Sequence, residues 1–292
     1  MQAEGCITIR DAARELSRSF RDAGLSSPSL DARVLIAHAC GLTAEDLIRA
    51  ADRCVDGRER DRILVLKERR LRREPVSRII ERREFFGLPF QVTPAVLDPR
   101  PETELLVETA LTHVKAFEGS RTIRVLDLGT GSGCIIASLL VALPQATGVA
   151  VDVSEAALKT AKASFEALGV WGRVSPVCGR WDDCLGDRAY DVIVSNPPYI
   201  QSHEIVGLDT DVAAFDPKLA LDGGPDGLAC IRDVMSAFSR LLAGDGLALC
   251  EIGSRQGDAA RTIAEAHGLN AHVLKDFGGM DRAVACMRQS AR

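Results

Sequence analysis

Residues 196–199 read Asn-Pro-Pro-Tyr directly after the apolar run Val192-Ile193-Val194. Proline lacks a backbone N–H and has a fixed φ, so Pro197-Pro198 makes a stiff turn whose carbonyls point outward with no donor beside them. Asn196 adds a side-chain carbonyl acceptor and an NH2 donor, and Tyr199 adds an aromatic face and a hydroxyl. Such a set suits a planar substrate group that carries an NH2. The Asn196 side-chain carbonyl and the Pro197 backbone carbonyl each accept one of its hydrogens, and Tyr199 stacks on its plane. The nitrogen lone pair is then left perpendicular to that plane. This nitrogen is a poor nucleophile, because its lone pair is delocalised. Fixing it in line at roughly 3–3.5 Å from an electrophilic carbon is the main help a protein can give. Asn196, Pro197 and Tyr199 are the candidate catalytic residues, with Asn196, Pro197, Pro198 and Tyr199 the candidate substrate contacts. The motif holds no convincing general base, and taken alone it also describes a plain turn-forming loop.

A second cluster, VLDLGTGSGC, sets Gly129, Gly131 and Gly133 between a predicted strand and a predicted helix. Glycines there let the backbone turn sharply and approach a ligand. A dinucleotide fingerprint counted from Gly129 needs Gly or Ala at 134, where the chain has Cys134. No Gly-Lys-Ser/Thr follows, so a nucleotide-triphosphate loop is absent too. Asp127 would repel a pyrophosphate and suits a cation. The pattern Asp127-x-Gly129-x-Gly131-x-Gly133 resembles the cofactor loop of class I methyltransferases that use S-adenosylmethionine, whose ammonium and sulfonium suit an acidic loop. One βαβ unit later, VAVDVS supplies Asp152, a carboxylate able to accept both hydroxyls of a ribose. Candidate cofactor contacts are Asp127, Gly129, Thr130, Gly131, Ser132, Gly133 and Asp152, and the resemblance implies Asn196 as a further one. Trp181, after the third strand, is either a partly buried core aromatic or, by its place in that family, a neighbour of the adenine ring. The sulfonium supplies the electrophile, so no metal is expected. His38, His113, His203, His267 and His272 show no ligand spacing, and His203 is expected to be solvent-exposed.

The elements that must position these residues follow from periodicity. Residues 1 to about 85 read as helical. Thr8 with Asp11 and Thr43 with Asp46 open helices, Pro28 starts another, and Gly24 and Gly41 are stops. The helix GRERDRILVLKERRLRRE carries Ile63, Leu64, Leu66 and Leu71 on its expected apolar side. Its seven arginines are interleaved with Glu59, Asp61, Glu68 and Glu74, which favours a solvated face over a docking surface. Residues 78–100 suggest a hairpin linker, and Pro101 starts a helix reaching Phe117. From Arg121 onward strands and helices alternate, the mark of a mostly parallel sheet covered on both faces. A helix is expected from 227 to 246, then a strand from Leu247. The closing pair of strands should add an antiparallel edge. The sequence DFG at 276–278 falls in that closing hairpin and has no kinase context.

Composition narrows the classes. A chain of 292 residues suits two domains. No apolar run reaches the ~18 residues a membrane span needs, and the N-terminus lacks a secretory pattern. Nine cysteines without C-x-x-C spacing point to reduced thiols in a cytoplasmic protein rather than a zinc site or disulfide framework. A net charge of −5 argues against a stable nucleic-acid partner.

Asn-Pro-Pro-Tyr resembles the motif of enzymes that methylate adenine N6, guanine N2 or the glutamine side-chain amide. The stretch REFFGLPFQVTPAVLDPRPETELLVETAL resembles the linker of the HemK/PrmC family, the N5-glutamine methyltransferases of peptide chain release factors. So do DLGTGSGCIIASLL, VDVSEAALKTAK, VSNPPYI, FDPKLALDGGPDGL and EIGSRQGD. The likeness runs from about residue 75 to the C-terminus and is looser in the helical part. It implies a class I S-adenosylmethionine-dependent methyltransferase: an α/β, Rossmann-like, mostly parallel seven-stranded sheet with a small N-terminal all-helical domain. The implied division is a helical substrate-docking domain at 1–80, a hairpin linker at 81–100 and the methyltransferase domain at 101–292. The implied reaction methylates the Gln of the Gly-Gly-Gln loop of class 1 release factors and yields S-adenosyl-L-homocysteine, with the enzyme a monomer. Asp98 departs from the aliphatic residue usual before Pro-Arg-Pro. Arg100, Glu102 and Glu104 either border the site or serve as helix-start charges. Two other readings share these motifs: an amino-methyltransferase acting on nucleic acid, and a cofactor-binding module that docks on the translation machinery without turnover.

Overall fold

The computed structural model describes residues 6–116, 122–186 and 189–289. Phe117 and Arg121, at the predicted ends of a helix and a strand, lie outside the described residues. The chain divides into two compact units, Met1–Glu81 and Arg82–Arg292.

The first unit is helical: α1 (Ile9–Asp22), α2 (Pro28–Cys40), α3 (Ala44–Arg49), α4 (Gly57–Leu71) and α5 (Val76–Ile79). Side chains cap the starts. Thr8 Oγ1 accepts the Asp11 N–H and Thr43 Oγ1 that of Asp46, both at 3.1 Å, while Asp56 and Glu59 form a reciprocal capping box. Gly41 ends α2 at φ 64°, where other residues are strained. Ile9, Leu16, Phe20, Leu35, Ile36, Ile63 and Leu66 form the core.

Two expectations fail here. Leu64 and Leu71 are exposed while Ile63 and Leu66 are buried; Leu64 is rotated about 100° from Ile63 around the helix. Arg70 is not on a solvated face, since it is buried against Asp31 with Nε–Oδ2 at 2.8 Å. The cysteine reading also needs correction: Cys6 and Cys54 are joined as a disulfide. An antiparallel bridge between Thr8 and Cys54 brings the two segments together.

The second unit opens on a hairpin, β1 (Arg82–Phe85) and β2 (Leu88–Gln91). Its turn residues Phe86 and Gly87 have φ of 53° and 71°, the twist that two-residue hairpins favour. A short 3-10 turn at Pro101–Thr103 leads into α6 (Glu104–Lys115). Then follow β3 (Arg124–Leu128), α7 (Cys134–Ala142), β4 (Thr147–Asp152), α8 (Glu155–Ala167), β5 (Val174–Cys178) and β6 (Tyr190–Ser195). After them come α9 (Thr210–Ala213), α10 (Ala229–Leu241), β7 (Leu242–Glu251), α11 (Gly257–Ala266), β8 (Leu269–Lys275) and β9 (Asp281–Arg288).

The sheet runs β5-β4-β3-β6-β7-β9-β8. Its first five strands are parallel, and β9 is antiparallel to both neighbours. The antiparallel strand is therefore not at the edge as expected; β8 is. The helix expected to reach Gly246 stops at Leu241, and β7 begins at Leu242 with a register shift opposite Tyr190 and Val192. All six residues of β6 are buried, because helices cover both faces of the sheet. One core lies where α6, α7 and α8 pack, the other where α10 and α11 pack.

Register sets the site. Leu128 is level with Val151 on one side and Ser195 on the other, and Ser195 is level with Cys250. The next residues along four adjacent strands are Asp152, Gly129, Asn196 and Glu251. They meet where the strand order reverses around β3, the crevice in which open α/β sheets bind ligands.

Candidate active site

The glycine turn wraps the end of β3. Gly129, Gly131 and Gly133 have φ of 77°, 54° and 79°. The N–H groups of Gly129 and Thr130 both donate to the Val151 carbonyl at 2.9 Å. Asp152 ties the turn to β4, its Oδ2 accepting the Gly131 N–H and its Oδ1 the Ser154 N–H, both at 2.9 Å. Burial raises the pKa of the Asp152 carboxyl, and these N–H groups pull it back down.

Asp127 lies beneath the turn, fully buried. The Thr130 hydroxyl donates to its Oδ2 at 2.7 Å, while Oδ1 has no hydrogen-bond partner among the described residues. Burial pushes the Asp127 carboxyl up to about 7, against the Thr130 hydroxyl and helped by the charge of Asp152.

Trp181 closes one side of the crevice. Its ring stands 3.5 Å from where a Cβ on Gly129 would be. The indole Nε1 donates to Asp233 Oδ2 of α10 at 3.1 Å, and Arg180 donates to the same oxygen at 2.7 Å. Trp181 has φ 47°, a costly conformation for a bulky residue.

On the other side, Asn196 Nδ2 donates to Thr103 Oγ1 at 3.2 Å, and that hydroxyl donates to Glu251 Oε2 at 2.6 Å. The Tyr199 hydroxyl donates to Glu251 Oε1 at 3.3 Å. Glu251 is buried, and burial pushes its carboxyl up to about 7; the Thr103 and Tyr199 hydroxyls and the charge of Arg282 act the other way. Gln256 braces the loop, its Nε2 donating to the carbonyls of Tyr199 at 3.0 Å and Gly227 at 3.1 Å. Gly223 packs so closely on Pro198 and Tyr199 that a Cβ there would lie 2.8 Å from the Tyr199 Cα.

These residues surround a cavity of about 580 Å³, a size that suits a nucleoside-bearing ligand. Gly129, Thr130, Gly131, Ser132, Asp152, Trp181, Asn196 and Pro198 are on its wall. Asp127, Gly133, Pro197 and Tyr199 adjoin these residues without themselves lining it. Arg100 is on the wall and pairs with the buried Asp216, Nη2–Oδ2 2.6 Å. Asp216 Oδ1 also accepts the Asp98 N–H at 3.4 Å, which gives the unusual Asp98 turn its partner. Glu104 instead caps the β1–β2 turn by accepting the Phe86 N–H at 2.8 Å. His203 is exposed. Sequence reasoning assigned no role to Thr103, Asp233, Glu251 or Gln256. A carboxylate ending the apolar strand LALCE was the available signal for Glu251; the others depend on tertiary contacts.

The chain is 39% identical over 279 residues to the release factor glutamine methyltransferase of Caulobacter vibrioides, covering 95% of this chain and 96% of that protein. It belongs to the release factor glutamine methyltransferase family. The relative of the same name in Agrobacterium fabrum is 37% identical over 99% of this chain and 100% of its own length. The PrmC N-terminal domain family matches residues 11–80, and the Methyltransferase small domain family matches residues 101–213. Among solved structures, the hMettl16 catalytic domain in complex with a MAT2A 3′UTR hairpin shares the fold at TM-score 0.55 and 18% identity, covering 70% of this chain and 77% of that one.

This methyltransferase is an enzyme of the class I fold and takes its methyl group from S-adenosylmethionine. The site fits that cofactor. Gly129 and Gly131 leave a cradle without Cβ atoms, and Asp152 and the Trp181 ring are on the same wall. Asp152 and the buried Asp127 below the turn add negative potential suited to a cationic ligand.

Proposed function

We propose that the enzyme methylates the side-chain amide nitrogen, N5, of the Gln in the Gly-Gly-Gln motif of class 1 peptide chain release factors. The observation that carries this reading is the orientation of Asn196. Its Nδ2 is committed to Thr103, so its Oδ1 is the end left to accept a substrate N–H. The Asn196 Oδ1 and the Pro197 carbonyl each take one hydrogen of the substrate NH2 and hold its plane. The bound cofactor supplies an electrophilic methyl carbon. Asn196 and Pro197 would hold the amide nitrogen with its out-of-plane lone pair toward that carbon; the methyl would exchange its bond to sulfur for one to nitrogen, and the extra proton would leave afterwards, when the nitrogen is strongly acidic. S-adenosyl-L-homocysteine is the by-product.

A Gln side chain preceded by two glycines reaches a narrow pocket because those neighbours present only backbone. The helical domain, residues 1–80, binds the body of the factor at a second surface and gives the selectivity one side chain cannot. The hairpin at 81–100 links it to the methyltransferase domain. The enzyme works in the cytoplasm as a monomer, without a stable nucleic-acid partner. Among the described residues, no helix is long and apolar enough to cross a membrane.

Incubating the protein with purified release factors and cofactor, then mapping added mass by peptide mass spectrometry, tests this reading. The methyl group is expected on the Gly-Gly-Gln glutamine and absent with Asn196→Ala. Methyl groups on DNA or ribosomal RNA, with none on release factor, would end the glutamine assignment.

A further inference from the structure

Asn196 serves a substrate NH2 only while its own amide points one way. Turned over, it would set NH2 against NH2 and repel the acceptor group. A side-chain amide has no intrinsic preference between these orientations, so something else must choose.

The choice is made two bonds away. Thr103 has a single hydroxyl proton. Its Oγ1 lies 2.6 Å from Glu251 Oε2 and 3.2 Å from Asn196 Nδ2. Ionised, the Glu251 carboxylate only accepts, and the Thr103 proton is then committed to it. Thr103 can then meet Asn196 only as an acceptor, and only the Nδ2 end of the amide can donate. Glu251 is itself held, by the Tyr199 hydroxyl at Oε1 and by the charge of Arg282 on β9. Three strand-end segments and the 3-10 turn before α6 thus converge on one amide.

We propose that Thr103 and Glu251 are positioning residues that lock the Asn196 amide with Oδ1 toward the acceptor nitrogen, and so restrict the enzyme to acceptors that donate from a planar NH2. Neither residue takes part in bond making. The inference rests on the role given to Asn196 under Proposed function.

The test compares Thr103→Val, which keeps the shape and removes the hydroxyl, with Thr103→Ser, which keeps the hydroxyl. Misorientation of a reacting group costs on the order of 10²-fold in rate. Thr103→Val should lose about that much in kcat on release factor, with cofactor affinity little changed, and Thr103→Ser should recover most of it. Wild-type kcat in Thr103→Val would overturn the lock. A second readout is independent of substrate. The Asn196 side-chain NH2 resonances, identified by their loss in Asn196→Ala, should exchange with solvent more slowly in the wild type than in Thr103→Val. Equal exchange would sink the lock even if release factor is not the substrate. Slower wild-type exchange without methylated release factor would keep the lock and retire the substrate reading.

Discussion

The backbone N–H of Gly131 donates to Asp152 Oδ2 at 2.9 Å, so the end of β4 and the turn after β3 are one structure. Asp152 Oδ1 is tied in turn to the Ser154 N–H at the start of α8. The carboxylate is therefore held in place by the protein itself, and Asp152 lines the cavity. Removing it takes away a charged hydrogen bond, ~1.5–3 kcal/mol. Asp152→Ala should weaken S-adenosylmethionine roughly 10- to 100-fold in Kd. Calorimetry on the purified variant checks this, and unaltered affinity would remove Asp152 from the cofactor site.

The three glycines of the turn are not equivalent. Gly131 has φ 54° with open space where a Cβ would be, whereas at Gly133, φ 79°, a Cβ would run into the Phe165 ring of α8. Gly131→Ala carries only the left-handed backbone cost, about 1–2 kcal/mol. Gly133→Ala adds overpacking of about 1–3 kcal/mol. Denaturant titration should rank Gly133→Ala as clearly the less stable of the two. Equal midpoints would mean that Phe165 moves aside freely.

Much of this was legible in sequence, for local reasons. The caps at Thr8 and Thr43, the Pro28 start and the Gly41 stop each depend on a few neighbouring residues. The βα alternation followed from periodicity, and the glycine turn, Asp152 and Asn196 followed from their places at strand ends. What failed depended on distant partners. Arg70 resembles any surface arginine until Asp31, far along the chain, is placed beside it. The position of β9 inside the sheet is a topological fact without a local signature. The Tyr199–Glu251 hydrogen bond, between residues 52 apart, had no local signal either.

The hold on Trp181 gives a third expectation. Its indole N–H is bonded to Asp233, which is half-exposed and also takes Arg180. Asp233→Ala releases both partners. Losing one such hydrogen bond is worth ~0.5–1.5 kcal/mol. Cofactor affinity should fall several-fold while Tm stays close to wild type, because no core residue is disturbed. Calorimetry beside thermal unfolding separates these. A large drop in Tm with unchanged affinity would make the contact structural only.

Titration of Glu251 supplies the last expectation. The groups facing it are the Thr103 and Tyr199 hydroxyls, Arg282, Glu102, and the thiols of Cys134 and Cys250. Burial dominates and raises its carboxyl from 4.5 to about 7. Above that pH the ionised group holds the Thr103 proton, and Asn196 stays correctly turned. Below it, the neutral acid can donate to Thr103 Oγ1, which frees the Thr103 proton to reach Asn196 Oδ1 and turn the amide over. At saturating cofactor, kcat should therefore fall about tenfold per pH unit below a midpoint near 7. Asp127, also raised to about 7, lies under the cofactor turn, and its titration should appear in cofactor affinity instead. Glu251→Gln cannot titrate, and its amide can offer Thr103 either end. That variant should be slower above pH 7 and should lose the acid limb of kcat. A limb that persists unchanged in Glu251→Gln would assign the titration to another group.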